Sequence, residues 1–433
     1  MKKILKKIVP SFMINAFHYV CAFFANYKYG FPAKKMFIVG VTGTKGKTST
    51  SNYIWSVLNA GGFKTGMMTT ANFRIGKHEE INKLHMSMPS AFIIQRKLKE
   101  MLDAGIEVAV IEMTSEGMRQ YRNAGIPVDV AVFTNLTPEH IASHGSFDAY
   151  KKAKSILFKS ISKSERIFNN IKIPRTIIAN ADNEHYEYYL NFPADKKYTF
   201  GLSNGNIVAK NTTSNERTTS FDIDGEKYIL GIPGKFNVYN ALPAIIVGRI
   251  FSVLEDKIKK GILDLNLIPG RMEIVEENQP FTVIIDFAHE AASMNALLDS
   301  VIALKKQGGR IILLSGATGG GRERKPMTEV GAKLSDILVL TTEDAYDDDP
   351  KKLVASLIPT ATLCGKVIGS TLFEIPDRRQ AIEKALSLAR PNDIVLITGK
   401  GGEQVMVTKN GTIPWDERTI VRELTKKYAI YNN

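Results

Sequence analysis

The sequence predicts an α/β protein, with a P-loop central domain on a parallel-rich sheet followed by a Rossmann-like C-terminal α/β domain. Three observations carry this. A short apolar run, Met36-Phe37-Ile38-Val39, leads into a glycine-rich turn and then into a stretch of helical apolar spacing, Ser49 to Leu58. Further apolar runs of strand length alternate with helical stretches, an order that gives parallel sheets with sites at the carboxyl ends of the strands. Beyond Leu267-Ile268-Pro269-Gly270-Arg271, which reads as a linker, a second series of such units begins. The domains are accordingly set at 1–35, a short basic and aromatic segment, 36–269 and 270–433.

The turn is Gly40-Val41-Thr42-Gly43-Thr44-Lys45-Gly46-Lys47-Thr48. Strand, glycine-rich turn and helix together aim backbone N–H groups and a helix N-terminus at phosphates. Gly43, Thr44, Lys45 and Gly46 form the cradle, Lys47 reaches the β/γ-phosphates, and the Thr48 hydroxyl ligates Mg²⁺. The strict pattern wants Gly where Val41 stands, so this is a variant with its glycines at 40, 43 and 46.

With 433 residues and a 44% hydrophobic fraction, the chain can build two or three real cores. Its two cysteines, Cys21 and Cys364, offer neither a disulfide framework nor a zinc site. A reducing cytosol is the simplest setting. The net charge of +13 suits nucleic acid, a membrane surface, an anionic substrate or a merely solvated basic surface. There is no basic-aromatic groove motif, so nucleic-acid binding is not expected.

Met1 to Lys7 contains four lysines, and Ile8 to Ala25 is largely apolar, with Phe12, Phe17, Tyr19, Phe23 and Phe24. Pro10, Asn15 and His18 interrupt the run, and no small-residue cleavage site follows it. A span needs ~20 apolar residues, and this run falls short. Two readings stand: a helix packed on the next domain, or a segment lying on the inner membrane surface.

After the turn, Phe63 to Thr70 reads as a second strand with its exit loop. Ser87-Met88-Pro89-Ser90 opens a helix through Ile94, Leu98 and Met101, with Ser87 or Ser90 near the cap. Val108 to Met113 is a buried strand ending at Glu112, where a P-loop fold carries a metal ligand. Val128 to Phe133 is another, followed by the polar cluster Thr134-Asn135-Leu136-Thr137-Pro138-Glu139-His140. Glu112, His140 and the loop then converge at one sheet edge. Asn237 and Asn240 stand about one turn apart at the start of a helix, where two amides can meet a purine edge. Later strands are read at Thr282–Asp286, Arg310–Leu314, Ile337–Leu340 and Ile394–Ile397.

These landmarks, in this order and over about residues 36 to 425, resemble the Mur ligase family, ATP-dependent amide-forming enzymes of peptidoglycan assembly. The chain looks most like the branch that adds the third stem-peptide residue. The resemblance implies that Gly43–Thr48 is the ATP loop and that Glu112 binds Mg²⁺. It makes His140, in Thr134 to His140, a holder of the second metal, and it makes Lys154, in Tyr150 to Lys154, the lysine that the family carbamylates. Read from the residues alone, Lys154 is one more solvated lysine. Carbamylation would turn it into an anionic oxygen ligand suited to Mg²⁺. Asn135, Asn237, Asn240, Arg271 and Asp286 fall on nucleotide-binding positions, and Ser87 and Ser115 on the muramyl side. Gly399 and Glu403, in Gly399-Lys400-Gly401-Gly402-Glu403, fall where the incoming ammonium is held, and Arg322 where its carboxylate is bound.

The chain departs from the pattern in three places. The branch carries a domain of roughly a hundred residues that grips UDP, whereas 35 residues precede the strand here. UDP recognition is therefore open. The diaminopimelate enzymes carry Asp-Asn-Pro-Arg where this chain has Glu343-Asp344-Ala345-Tyr346. Without that Arg, the acidic run from Glu343 and Asp344 to Asp349 favours a side-chain amine such as lysine or ornithine, unless it is simply an exposed acidic loop. Glu116 replaces a family His, and Glu290 stands where Thr-Pro would begin.

The resemblance implies that a muramyl-peptide carboxylate attacks the γ-phosphate of ATP, and that a free amino acid then attacks the acyl phosphate after domain closure. Lys47, His140 and Lys154 would be the catalytic set. Folylpolyglutamate synthases share the architecture but fit less well at Gly399 to Glu403. From another class, a membrane-attached nucleotide-binding regulator is the alternative, and the intact set Lys47, Glu112, His140 and Lys154 argues for catalysis.

Overall fold

The computed structural model describes residues 11–84, 86–139, 144–161, 166–168 and 170–429. The chain divides into two compact units. The first runs to Thr212 and takes in Ser220–Gly231 and Asn237–Asn266. The second is made of Thr213–Thr219, Ile232–Phe236 and the chain from Leu267 onward.

The first unit is built on a nine-stranded sheet. Its strands are β1 (Phe37–Thr42), β2 (Thr65–Met68), β3 (Asn72–Ile75), β4 (His78–Ile81), β5 (Val108–Glu112), β6 (Val130–Phe133), β7 (Thr176–Asn180), β8 (Lys196–Gly201) and β9 (Ile207–Val208). Their spatial order is β9-β8-β7-β6-β1-β5-β2-β3-β4. Pairing is parallel from β9 to β2, and β3 and β4 add an antiparallel edge. All six residues of β1 are buried, as expected of a strand deep in a parallel sheet. Register sets Val41 beside both Glu112 on β5 and Val132 on β6. The carboxyl ends of β1, β5 and β6 therefore meet, at the point where strand order runs both ways from β1.

The first strand is longer than the apolar run suggested. It continues through Gly40, Val41 and Thr42, so the turn proper starts at Gly43. A Cβ on Gly40 would lie 2.5 Å from Leu157 Cδ1, which makes this glycine a packing residue rather than part of a phosphate cradle. The strands β3, β4 and β7 to β9 carry no apolar run of four residues, and β4 is mostly exposed, so neither a continuous run nor alternation marks them in the sequence.

The helix Ser11–Tyr29 packs its small residues Ala22 and Ala25 on the first unit, near Ala91. Asn26 Nδ2 donates to the Ala124 carbonyl at 2.8 Å. Gly125 has φ 77°, and a Cβ there would sit 2.1 Å from Asn26 Oδ1. Arg166 clasps the same region, donating to the carbonyls of Ala33 (2.9 Å) and Met36 (2.7 Å) and to Asp129 Oδ2 (3.0 Å). Burial pushes the Asp129 carboxyl up to about 6, against the pull of Arg166 and of the Ile38 N–H.

The second unit has a six-stranded sheet of β10 (Glu273–Val275), β11 (Thr282–Asp286), β12 (Ile311–Ala317), β13 (Ile337–Thr342), β14 (Leu372–Glu374) and β15 (Ile394–Thr398). Their order is β10-β11-β15-β12-β13-β14, parallel except for β10 on β11. Val283, Ile285, Ile312, Leu314, Val339 and Val395 form its core. Arg378 and Glu417 make a buried ion pair, with Arg378 Nη2 donating to Glu417 Oε1 at 2.7 Å and to the Thr398 carbonyl at 2.7 Å. Glu290, the departure noted above, is the N-cap of the helix Ala291–Leu304 and forms a reciprocal capping box with Ser293.

Candidate functional site

In the first unit, the loop Gly43–Gly46 is held open by the strand end that follows β6. Thr44 N donates to the Asn135 carbonyl (2.8 Å), Lys45 N to Asn135 Oδ1 (2.8 Å), and Thr134 Oγ1 to the Lys45 carbonyl (2.6 Å). Asn135 thus shapes the loop from outside. Gly46 has φ 80°, and a Cβ on it would lie 2.4 Å from Asn240 Oδ1. Both the conformation and the close approach call for glycine. The helix Lys47–Ala60 begins directly after it, which aims the first-turn N–H groups of the helix at the loop mouth.

Thr48 Oγ1 donates to Glu112 Oε2 at 2.8 Å, and Lys47 Nζ stands 4.0 Å from Glu112 Oε1. Lys47 Nζ also donates to the Thr44 carbonyl at 2.9 Å, folding back over the loop. Glu112 is buried and takes two more bonds from Thr70, through the backbone N–H and the hydroxyl, each at 2.9 Å. The Thr70 hydroxyl is in turn in a short contact with Ser87 Oγ. A buried carboxylate and a hydroxyl beside a phosphate-binding turn are hard oxygen donors, and they suit a hard divalent cation.

Lys154 is the largest departure from the residue-level reading. It is 2% exposed, and its Nζ donates to the Gly43 carbonyl at 2.7 Å, 111 residues away in sequence. Its ammonium lies 4.4 Å from the centre of the Tyr150 ring, and Tyr150 OH is 3.2 Å from Thr44 Oγ1. Burial, reinforced by the Lys47 charge, holds the Lys154 amine well below the ordinary lysine range. The result is an amine pressed against the phosphate loop and biased toward its neutral, nucleophilic form.

His140 lies outside the described residues. His144, which no motif in the sequence marks, is buried with its ring centre 5.0 Å from that of Tyr150. Its Nε2 is 3.2 Å from Ser115 Oγ, and Arg119 Nη1 is 3.2 Å from its Nδ1. Burial, aided by Arg119, lowers its pKa. A lone histidine in a mixed stretch gives no periodic signal, so only the fold could single it out. Asn237 and Asn240 do share a face, but Asn240 Nδ2 donates to Asn237 Oδ1 at 3.1 Å, so the two amides partner each other.

In the second unit, Asp286 sits at the end of β11 and accepts from Met272 N (2.7 Å) and Ala288 N (2.8 Å). Arg271 stacks over Phe287 at 4.2 Å. Glu343 and Asp344, expected to favour a substrate's side-chain amine or else to lie in an exposed acidic loop, are buried and matched by cations of the chain itself. Glu343 Oε2 accepts from Thr318 (2.7 Å) and Arg324 (3.2 Å), and Lys400 Nζ lies 3.0 Å from Asp344 Oδ1. Asp347 to Asp349 remain exposed. Gly399 has φ 108°, and a Cβ there would fall 1.9 Å from Glu343 Oε1, an oxygen without a hydrogen-bond partner.

Lys400 also reaches Glu403 Oε2 at 2.7 Å. Burial works against its charge, but Glu403 and Asp344 outweigh burial and hold its pKa above the ordinary lysine value. Arg322 is exposed, with its guanidinium 5.7 Å from the Tyr346 ring centre.

The chain matches the Mur ligase middle domain over residues 41–248 and the Mur ligase glutamate ligase domain over 270–401. It is 34% identical to the UDP-N-acetylmuramyl-tripeptide synthetase of Roseiflexus sp. (strain RS-1), over 91% of this chain and 79% of that protein. It is 32% identical to the UDP-N-acetylmuramoyl-L-alanyl-D-glutamate–2,6-diaminopimelate ligase of Clostridium botulinum (strain ATCC 19397 / Type A), over 93% and 80%. Among solved structures, a diaminopimelate ligase of the same name aligns with TM-score 0.61 at 24% identity, over 90% of this chain and 78% of that one. The Mycobacterium tuberculosis folylpolyglutamate synthase aligns with TM-score 0.68 at 18% identity, over 87% and 91%. The regulator alternative finds no support among these relatives.

Proposed function

The chain belongs to the Mur ligase family, and from that premise we propose that it joins an amino acid to a muramyl peptide at the expense of ATP, as a tripeptide synthetase does. The observation that carries the reading is Lys154, buried with its amine on the Gly43 carbonyl of the phosphate loop. An ordinary nucleotide-binding turn has no need of a buried lysine there. A neutral amine at that point can take up carbon dioxide and become an anionic carbamate.

The acceptor carboxylate attacks the γ-phosphorus of ATP, ADP leaves, and an acyl phosphate results. The amine of the incoming amino acid then attacks the acyl carbon, loses a proton, and inorganic phosphate leaves. Lys47, at the loop mouth, offsets negative charge as it builds on the transferred phosphoryl group. Thr48 and Glu112 would hold one Mg²⁺, and carbamylated Lys154 and His140 a second. These ions would supply charge neutralisation at the phosphates. Asn135 keeps the loop in its phosphate-ready shape. Residues 36–269 carry activation in this reading, and residues 270–433, with Arg322, Gly399 and Glu403, carry the amine.

Because Asp344 is already matched by Lys400, and Glu343 by Arg324, the acidic run gives less preference for a side-chain amine than its composition suggests. The reading places the enzyme in the cytoplasm, with residues 1–35 touching the inner face of the membrane. The test is phosphate release from ATP and Mg²⁺ with UDP-N-acetylmuramoyl-dipeptide, across lysine, ornithine, diaminopimelate and glutamate. Release that requires both the dipeptide and one amino acid establishes the ligase. No release with any pair, from protein that still binds ATP, overturns the substrate assignment.

A further inference from the structure

The helix Ser11–Tyr29 has two unlike faces. One is docked: Ala22 and Ala25 are fully buried, and Asn26 is tied to the Ala124 carbonyl. The other faces outward, and it is apolar along its length. Met13, Phe17, Val20, Phe24 and Tyr27 recur at intervals of three and four residues, which stacks them on one side of an α-helix. Phe23 flanks the stripe. Phe17 is 65% exposed and Tyr27 73%, so these rings are not covered by the rest of the unit. Tyr121, from the body of the unit, adds its ring edge-on to Tyr19 at 5.5 Å and widens the patch.

A stripe of this kind needs an occupant, and the charges around it name one. Lys28, Lys34 and Lys35 follow the stripe and are exposed. The sequence before it carries Lys2, Lys3, Lys6 and Lys7. No acidic residue occurs between Met1 and Lys35. Aromatic residues on one face with lysines at both ends match a surface that is apolar below and anionic above. Among the described residues, no helix is long and apolar enough to cross a membrane, and the docked inner face keeps this one alongside the unit.

We propose that the helix Ser11–Tyr29 seats the protein in the plane of an anionic lipid surface, with the face of Met13, Phe17, Val20, Phe24 and Tyr27 in the headgroup–acyl boundary. The inference deepens the membrane contact in the reading above and does not depend on the ligase chemistry. A muramyl acceptor carried on a lipid would then be met at the surface where it resides.

The test is sedimentation of the full-length protein with vesicles of equal parts phosphatidylglycerol and phosphatidylcholine, and with vesicles of phosphatidylcholine alone. The expected result is binding to the anionic vesicles that weakens with salt, and little to the neutral ones. The triple variant Phe17→Ser, Phe24→Ser, Tyr27→Ser should lower the bound fraction about tenfold. Phosphate release with soluble substrates should be the same in variant and parent, which separates this outcome from a failure of the ligase reading. As a second readout, a Phe24→Trp variant should shift its emission to the blue when anionic vesicles are added. No binding to anionic vesicles, or equal binding by the triple variant, overturns the proposal. So does a dimer in light scattering that the triple variant dissolves without any vesicle binding, since a second copy would then cover the face.

Discussion

Thr48 and Glu112 stand 64 residues apart in sequence and meet through a 2.8 Å hydrogen bond from hydroxyl to carboxylate. The bond joins the first turn of the helix after the phosphate loop to the last residue of β5. Parallel register makes it, since Val41 on β1 pairs with Glu112, and the loop begins two residues further on. Glu112→Gln keeps the shape and removes the charge. Magnesium-dependent phosphate release should fall by about 10²–10³, while the thermal midpoint changes little. Full activity at ordinary magnesium would separate Glu112 from the metal.

Lys154→Ala should leave ATP binding in place and lower product formation by about 10²–10³, the usual cost of removing a preorganised charge. Lys154→Arg should not restore it, because a guanidinium stays cationic. With labelled bicarbonate, the parent protein should show a carbamate signal in carbon NMR that the variants lack. Parent protein free of carbamate at full activity would remove this lysine from the metal set.

Gly46→Ala should be harmful in two ways. The residue sits at φ 80°, where a Cβ costs about 1–2 kcal/mol. The new methyl would also displace Asn240 Oδ1, 2.4 Å away. A fall in thermal midpoint together with lost nucleotide binding is expected by scanning calorimetry and equilibrium dialysis.

Asp129 ties stability to pH. Its carboxyl binds a proton more tightly folded, at about 6, than at the ordinary 3.8. Its contribution is therefore complete below pH 3.8 and is lost as pH rises through about 6. Urea midpoints of the parent and of Asp129→Asn across that window should diverge, with the parent losing on the order of 2–3 kcal/mol relative to the variant. Parallel curves would refute the assignment.

Glu417→Ala strands Arg378 in the interior of the second unit, where Glu417 is its carboxylate partner by direct hydrogen bonds. Breaking such a pair from one side costs about 3–5 kcal/mol. The urea transition of that unit should move accordingly, with the nucleotide site of the first unit still competent.

Much of the phosphate site is legible in the residues themselves. Gly43 to Thr48 follow an apolar strand, and Glu112 ends another, so local patterning is enough to set them at one sheet edge. Lys154 is not legible in this way, because its burial comes from Tyr150 and from a carbonyl 111 positions away. His144 is hidden for the same reason. In the second unit, composition misleads. Glu343 and Asp344 read as carboxylates for a substrate amine or as an exposed acidic loop, yet both are buried, against Arg324 and Lys400. The segment from 166 to 230 stays opaque because none of its strands holds four consecutive apolar residues, so no continuous run declares them as Val130 to Phe133 declares β6.

The contact between Asn26 and Gly125 has a consequence for inheritance. Any side chain at 125 would strike the amide at 26, and any shrinkage at 26 would release the Ala124 carbonyl from its donor. The constraint runs one way: while Asn26 stands, position 125 is held to glycine by both its φ of 77° and the amide against it, whereas a smaller residue at 26 gives up one hydrogen bond and leaves room beside 125.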